Sequence, residues 1–199
     1  MRQLLLLFRY ILSGVVFSLL ASCASMNSDY QQQSSTQSQN RYAPVRTPHI
    51  AADYSNRLPQ HLDTQGNKMV LVDPNVHAWG AYGSDGNLIK AGIATAGDSS
   101  CPPDTDERDC RTNSGTFHIT SLGDEGCYSK KYPRPNGGGL MPYCMFFNNG
   151  QALHGSPDDI VVEDNVSHGC VRMRIPDSEW MRTQFAQVGT RVVVVPYSS

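Results

Sequence analysis

The chain has 199 residues, 39% of them hydrophobic, and a formal net charge of -2, which suit one domain with a single core and argue against two enzyme-sized domains. No long run of Lys or Arg is present, so the charge points neither to nucleic acid nor to an anionic membrane surface as a partner. The substrate has to be read from a site.

In chain order, Arg2 and Arg9 precede the apolar stretch from Ile11 to Leu20, which is shorter than a comfortable membrane span and ends in small residues. Residues 1–22 therefore read as an export signal, a non-cleaved anchor helix being the plainer alternative. Leu20-Ala-Ser-Cys23 resembles a bacterial lipobox, which implies a diacylglycerol on Cys23 as the mature N-terminus and attachment to a membrane through that lipid. Ala24 in the next position resembles the pattern sorted to the outer membrane, facing the periplasm. From Asn27 to Asn40 the chain is mostly Gln and Ser, too polar to offset the entropy of ordering, and Arg41 to Asn67 is polar and punctuated by Pro44, Pro48 and Pro59. Residues 23–67 are expected as a tether, with the folded domain over 68–199.

Val70–Val72 and Val76–Tyr82 are predicted as strands, and Ser84-Asp-Gly-Asn87 as a hairpin turn before Leu88–Ala96. Thr116–Thr120, Tyr143–Phe147 and Arg191–Val195 add β-rich runs. Asp177–Gln187 is the plausible helix: Asp177 can cap it, Trp180, Met181 and Phe185 share a face, and Gly189 terminates it. The expected fold is mainly β, with one short helix and a mobile glycine-rich flap over Gly123–Gly139.

Cysteines stand at 23, 101, 110, 127, 144 and 170. An exported protein meets oxidising conditions, and lipidation of Cys23 leaves an odd number, so one thiol stays free. Cys101 with Cys110, and Cys127 with Cys144, each flank one loop, so two local disulfides form the simplest pairing and leave Cys170 free. Pairings that include Cys170 stay open at this point.

Chemistry concentrates in His154-Gly155 and in Ser167-His-Gly-Cys-Val-Arg172. They supply a thiol, two imidazoles, a glycine for close backbone approach and a guanidinium able to bind a carboxylate. A free cysteine is mostly protonated at neutral pH and needs an adjacent base, which a histidine provides; the pairing predicts a Cys170 of low pKa. Backbone N–H groups around Gly169 and Cys170 are candidates to face a developing oxyanion.

His154-Gly155, the twelve residues from Gly155 to Val166, and the Ser167–Arg172 motif resemble the L,D-transpeptidase catalytic domain, the YkuD-like family. The opening meander and Thr112-Asn-Ser-Gly-Thr-Phe117, with Asn113 where the family has proline, extend the likeness over roughly Lys68–Pro196. The resemblance implies an L,D-transpeptidase-like β-sandwich or barrel. Cys170 would be the acylated nucleophile, His154 the general base and the Gly155 carbonyl the group that orients its ring. His168, Gly169 and Arg172 would shape the oxyanion and substrate sites, with Ser167 in support. The donor would be a peptidoglycan tetrapeptide stem, with no metal or organic cofactor and no nucleic acid involved. The cysteine-bearing insertions are not general to the family and resemble those of a lipoprotein-like subgroup in intracellular bacteria.

Blander readings stand beside these. His154 or His168 could be structural, Arg172 could pair with an acid, and His154, His168 and Cys170 could ligate zinc, although no fourth ligand has obvious spacing. Asp158, Asp159, Glu163 and Asp164 read as a solvated loop, and His118, Trp79 and Trp180 as packing. Function then divides between a transpeptidase with an unassigned acceptor, a carboxypeptidase or hydrolase on the same stems, and a non-catalytic lipoprotein that grips peptidoglycan or a host surface.

Overall fold

A computed structural model describes residues 52–101, 105, 107–132 and 135–198. The export signal, Cys23 and most of the tether lie outside the described residues. Packed structure begins upstream of Lys68: a 3-10 turn at Ser55–Arg57 lies between Tyr54 and Leu58, both 5% exposed, which join a core cluster.

The strands in chain order are β1 (Met69–Asp73), β2 (Ala78–Tyr82), β3 (Leu88–Ile93), β4 (Gly115–His118), β5 (Ser121–Leu122), β6 (Met145–Asn148), β7 (Gln151–Ser156), β8 (Val171–Arg174) and β9 (Arg191–Val194). They form a five-stranded sheet of order β3-β2-β1-β9-β4 and a four-stranded sheet of order β5-β6-β7-β8. Pairing is antiparallel except for β1 with β9 and β7 with β8. The mainly β fold with one short helix is as expected. Of the predicted runs, Tyr143–Phe147 begins as strand only at Met145, since Tyr143 has a φ of 57°.

The two sheets close on one core because alternate residues of each strand are apolar and point inward. Val70, Val72, Trp79, Ala81, Val192 and Val194 come from the first sheet, and Met145, Phe147, Leu153, Val171 and Met173 from the second. The other face of the first sheet packs Met69, Leu71, Ala78 and Tyr82 against Tyr54, Leu58 and Val161. The other face of the second sheet carries Ala152, with Phe146 and Cys170 half-buried beside it, under Met141 and Cys144. That third cluster is the floor of the site.

The helix α1 (Ile175–Trp180) starts earlier than expected, with Pro176 in its first turn and Arg174 in the capping position, and passes into a π turn at Met181–Phe185. Proline fits a first helical turn, which lacks an acceptor for its N–H anyway. Asp177 is inside the helix and pairs with Lys90 at 2.9 Å.

Two disulfides are present, Cys101–Cys110 and Cys127–Cys144, and Cys170 is free, which closes the pairing question. The segment expected as a flap is stapled by Cys127–Cys144. It also doubles back on itself through the Tyr128–Leu140 bridge and the Ser129 N–H to Gly139 O bond of 2.8 Å. Closing loops of this size stabilises a fold by about 2–4 kcal/mol each. Peptide mapping without reductant should recover these two bridges with Cys170 alkylated; Cys170 in a mixed bridge would contradict the structure.

Candidate active site

The parallel pairing of β7 with β8 sets His154 opposite Arg172 and Leu153 opposite Val171. Side chains alternate along a strand, so Leu153, Val171 and Met173 enter the core, while Ala152, His154 and Arg172 share the outer face. Cys170 immediately precedes β8 and packs with Ala152 on that face.

The turn before β8 is built around Ser167. Its hydroxyl donates to the Cys170 carbonyl and accepts the Gly169 N–H at 3.1 Å, wrapping His168 and Gly169 into a tight loop. Gly169 has a φ of 114°, a conformation open to glycine, and a Cβ there would meet Gln151 Nε2 at 3.0 Å. Its carbonyl accepts from buried Thr112 Oγ1 at 2.9 Å. Because Ser167 takes the Gly169 N–H, that group does not serve an oxyanion, and the expectation for Gly169 narrows to permitting the turn.

His154 is 6% exposed, and its Nδ1 lies 2.8 Å from the Gly155 carbonyl. A carbonyl only accepts, so Nδ1 carries the proton and Nε2 keeps the lone pair a base requires. Gly155 is close-packed: a Cβ would meet Ser178 Oγ at 2.5 Å, and its N–H donates to Pro142 O at 2.8 Å. The Gly155 carbonyl thus holds the His154 ring in one orientation.

Electrostatics reverse one expectation. Burial drives the His154 pKa down to about 4, against the hydrogen bond to Gly155, with Arg172 adding to the drop. Burial also pushes the Cys170 thiol up, more than the Ala152 backbone hydrogen bond and the charges of Arg172 and Lys131 pull it down. The resting pair is thus a neutral thiol and a neutral imidazole rather than the low-pKa thiolate expected. The thiol donates to the Gly150 carbonyl at 3.7 Å.

Above the floor lies a cavity of about 700 Å³ that reaches Cys170, His168, Gln151 and Phe146. Its roof is the disulfide-stapled segment, with Tyr128, Lys130, Lys131 and Tyr132 on the lining. Tyr132 stacks on His168 with ring centroids 4.3 Å apart, and its hydroxyl lies 3.4 Å from Thr105 Oγ1. Lys131 pairs with Glu107 of the Cys101–Cys110 loop. The two insertions therefore meet above the nucleophile. Reasoning from the sequence missed Tyr132, Gln151 and the lysines; Lys130-Lys-Tyr132 inside a cysteine-bounded, glycine-rich loop was the available signal. Among the described residues, the close group of possible metal ligands is Cys101, Glu107 and Cys110, and both of its cysteines are in the disulfide.

The two-sheet β domain thus brings a free cysteine, just before β8, and a buried, backbone-oriented histidine of β7 to one sheet face, residue types suited to nucleophilic chemistry. Residues 67–194 match the model of the YkuD L,D-transpeptidase catalytic domain, and the chain belongs to that family. No curated protein matches the chain. Among solved structures, the L,D-transpeptidase (residues 123–326) of Xylanimonas cellulosilytica is similar at 23% identity, over 71% of this chain and 66% of its own, with a TM-score of 0.60. The L,D-transpeptidase of Stackebrandtia nassauensis is similar at 25% identity, over 69% and 59%, with a TM-score of 0.54. L,D-transpeptidase 3 of Mycobacterium tuberculosis, in complex with a faropenem-derived adduct, is similar at 18% identity, over 65% and 60%, with a TM-score of 0.52. The chain thus spans about 60 to 66% of the length of these neighbours.

Two pH effects follow from the neutral pair. The unfolded chain binds the His154 proton near pH 6.5 and the folded chain only near 4, so stability falls as pH drops through that window. The shift is worth up to about 3 kcal/mol. Urea unfolding should show this loss in wild type and a flatter acid limb in His154→Gln; parallel limbs would contradict the buried neutral imidazole. Alkylation of resting Cys170 by iodoacetamide should be slow at pH 7, with its midpoint above the ordinary cysteine range. A midpoint below neutrality would mean an ion pair instead.

Proposed function

We propose that the protein is a peptidoglycan L,D-transpeptidase that works through a thioester on Cys170. The observation that carries this reading is the pairing of β7 with β8, which brings an Nδ1-protonated His154 and a free Cys170 onto one sheet face beside a cavity. In the reaction, His154 Nε2 takes the Sγ proton as sulfur attacks the carbonyl of the stem's third residue. The tetrahedral oxyanion collapses, the C–N bond to the terminal D-alanine breaks, and His154 returns the proton to the leaving amine. An amine then attacks the thioester, His154 accepts its proton, and Cys170 leaves with it as thiol. Proton transfer within a neutral pair is uphill, so it accompanies attack on bound substrate rather than preceding it.

Arg172 lies beside Cys170 on the same face and is suited to a donor carboxylate. The Cys170 N–H is the backbone donor we assign to the oxyanion, with His168 held against Tyr132 at the cavity wall. Lipid on Cys23 would hold the domain at the outer membrane, facing the periplasm. Leu20–Cys23 supports that part, and detergent phase partition tests it: the exported wild type should enter the detergent phase and Cys23→Ala the aqueous one.

Purified protein incubated with tetrapeptide muropeptides and a stem acceptor should release D-alanine and yield a cross-linked mass. Release without a new amide would make the protein a carboxypeptidase, and binding without release a non-catalytic module. Cys170→Ala should abolish release, and His154→Ala should slow it by about 10²- to 10⁴-fold. Faropenem should add one adduct mass to wild type and none to Cys170→Ala. Release of D-alanine by Cys170→Ala would sink the thioester mechanism.

A further inference from the structure

Charge on the cavity wall is unevenly committed. Lys130, Lys131 and Glu107 are its Lys and Glu residues, and it includes no Asp or Arg. Lys131 and Glu107 neutralise one another across the two insertions. Lys130 has no acidic partner among the described residues, and its residue lines the cavity from the roof.

The backbone that presents Lys130 is braced. Ser129 Oγ accepts from the Lys131 and Tyr132 N–H groups at 3.2 and 2.9 Å. The Gly138 N–H donates to Ser129 O at 2.7 Å, and the Gly139 N–H to Tyr132 O at 3.0 Å. A Cβ on Gly137 would meet Lys130 O at 2.6 Å, so the returning strand lies against the peptide unit that follows Lys130. The Lys130 side chain thus springs from a braced backbone, so less loop freedom is lost when it meets a partner than from a slack loop.

We propose that Lys130 binds a carboxylate of the acyl donor and makes the roof selective for acidic over amidated stem peptides. An ammonium without a partner at the wall of a partly enclosed cavity gains a charge-assisted hydrogen bond from a carboxylate, which a neutral amide supplies only weakly. With Lys131 committed to Glu107, Lys130 on the roof is the uncommitted positive charge on the cavity lining. The segment that supplies Lys130 is one of the two cysteine-bearing insertions, and it would bring selection to a site whose chemistry resides elsewhere.

The proposal rests on the transpeptidase reading, and one experiment separates their failures. Release of D-alanine is followed by mass for three matched tetrapeptide donors: one with all carboxylates free, one amidated on its second residue, and one amidated on the side chain of its third. Wild type should show a KM about tenfold lower for the free acid than for one of the amides, identifying which carboxylate is bound. Lys130→Ala should close that gap by raising KM for the free acid, while Lys130→Arg keeps it. Circular dichroism and alkylation of Cys170 establish that both variants are folded. An equal gap in wild type and Lys130→Ala, or none in wild type, overturns the role of Lys130 with the transpeptidase intact. No release from any donor by a wild type with an alkylatable Cys170 overturns both.

Discussion

The parallel register of β7 against β8 is the constraint on which the rest depends. It places His154 opposite Arg172, and by strand alternation it sends Leu153, Val171 and Met173 into the core while His154, Arg172 and the adjoining Cys170 take the other face. A slip of one residue would exchange the two sets, sending an imidazole and a guanidinium into the apolar core and turning three apolar side chains out of it. Packing of the core and alignment of the chemistry are therefore one requirement.

Parallel strands need a crossover, and here it is held along its length. Thr95 Oγ1 donates to Val162 O at 2.6 Å and accepts from its N–H at 2.7 Å, Ser167 N–H reaches Ala96 O at 3.0 Å, and Tyr54 and Arg57 bond Glu163. The acidic loop read as simply solvated is partly a fastening, since Glu163 ties the upstream turn to the crossover. Burial then sets the character of the site. It disfavours charge on both His154 and Cys170, which keeps the thiol protonated, and so less prone to oxidation or stray reaction, until a carbonyl is in place.

The strands of the first sheet were legible where they are rich in β-branched or aromatic residues, as in Val70–Val72 and Arg191–Val195. The two that carry the chemistry were not. Gln-Ala-Leu-His-Gly-Ser over β7 has no β-branched residue and ends on small ones, and Val-Arg-Met-Arg over β8 is short; both are strands because neighbours pair with them, a tertiary cause that propensity does not contain. The helix was displaced for a related reason, since Pro176 starts it ahead of the Asp177 that looked like a cap. Cys170, His154 and Gly155 could be singled out from a motif because chemistry restricts its residue types. The reversed pKa values and the roof could not, because both arise from what segments distant in sequence do when they meet.

Gly155 has one more property. Its carbonyl orients the His154 ring, its N–H holds Pro142 at the end of the roof, and its missing side chain makes room for Ser178 of α1. Peptide groups are rigid planes, so between the roof's anchor and the acceptor that aims the imidazole there are only the φ and ψ of one residue. The orientation of the His154 ring and the position of the roof at Pro142 are therefore tied geometrically through a single residue, without a relay of side chains.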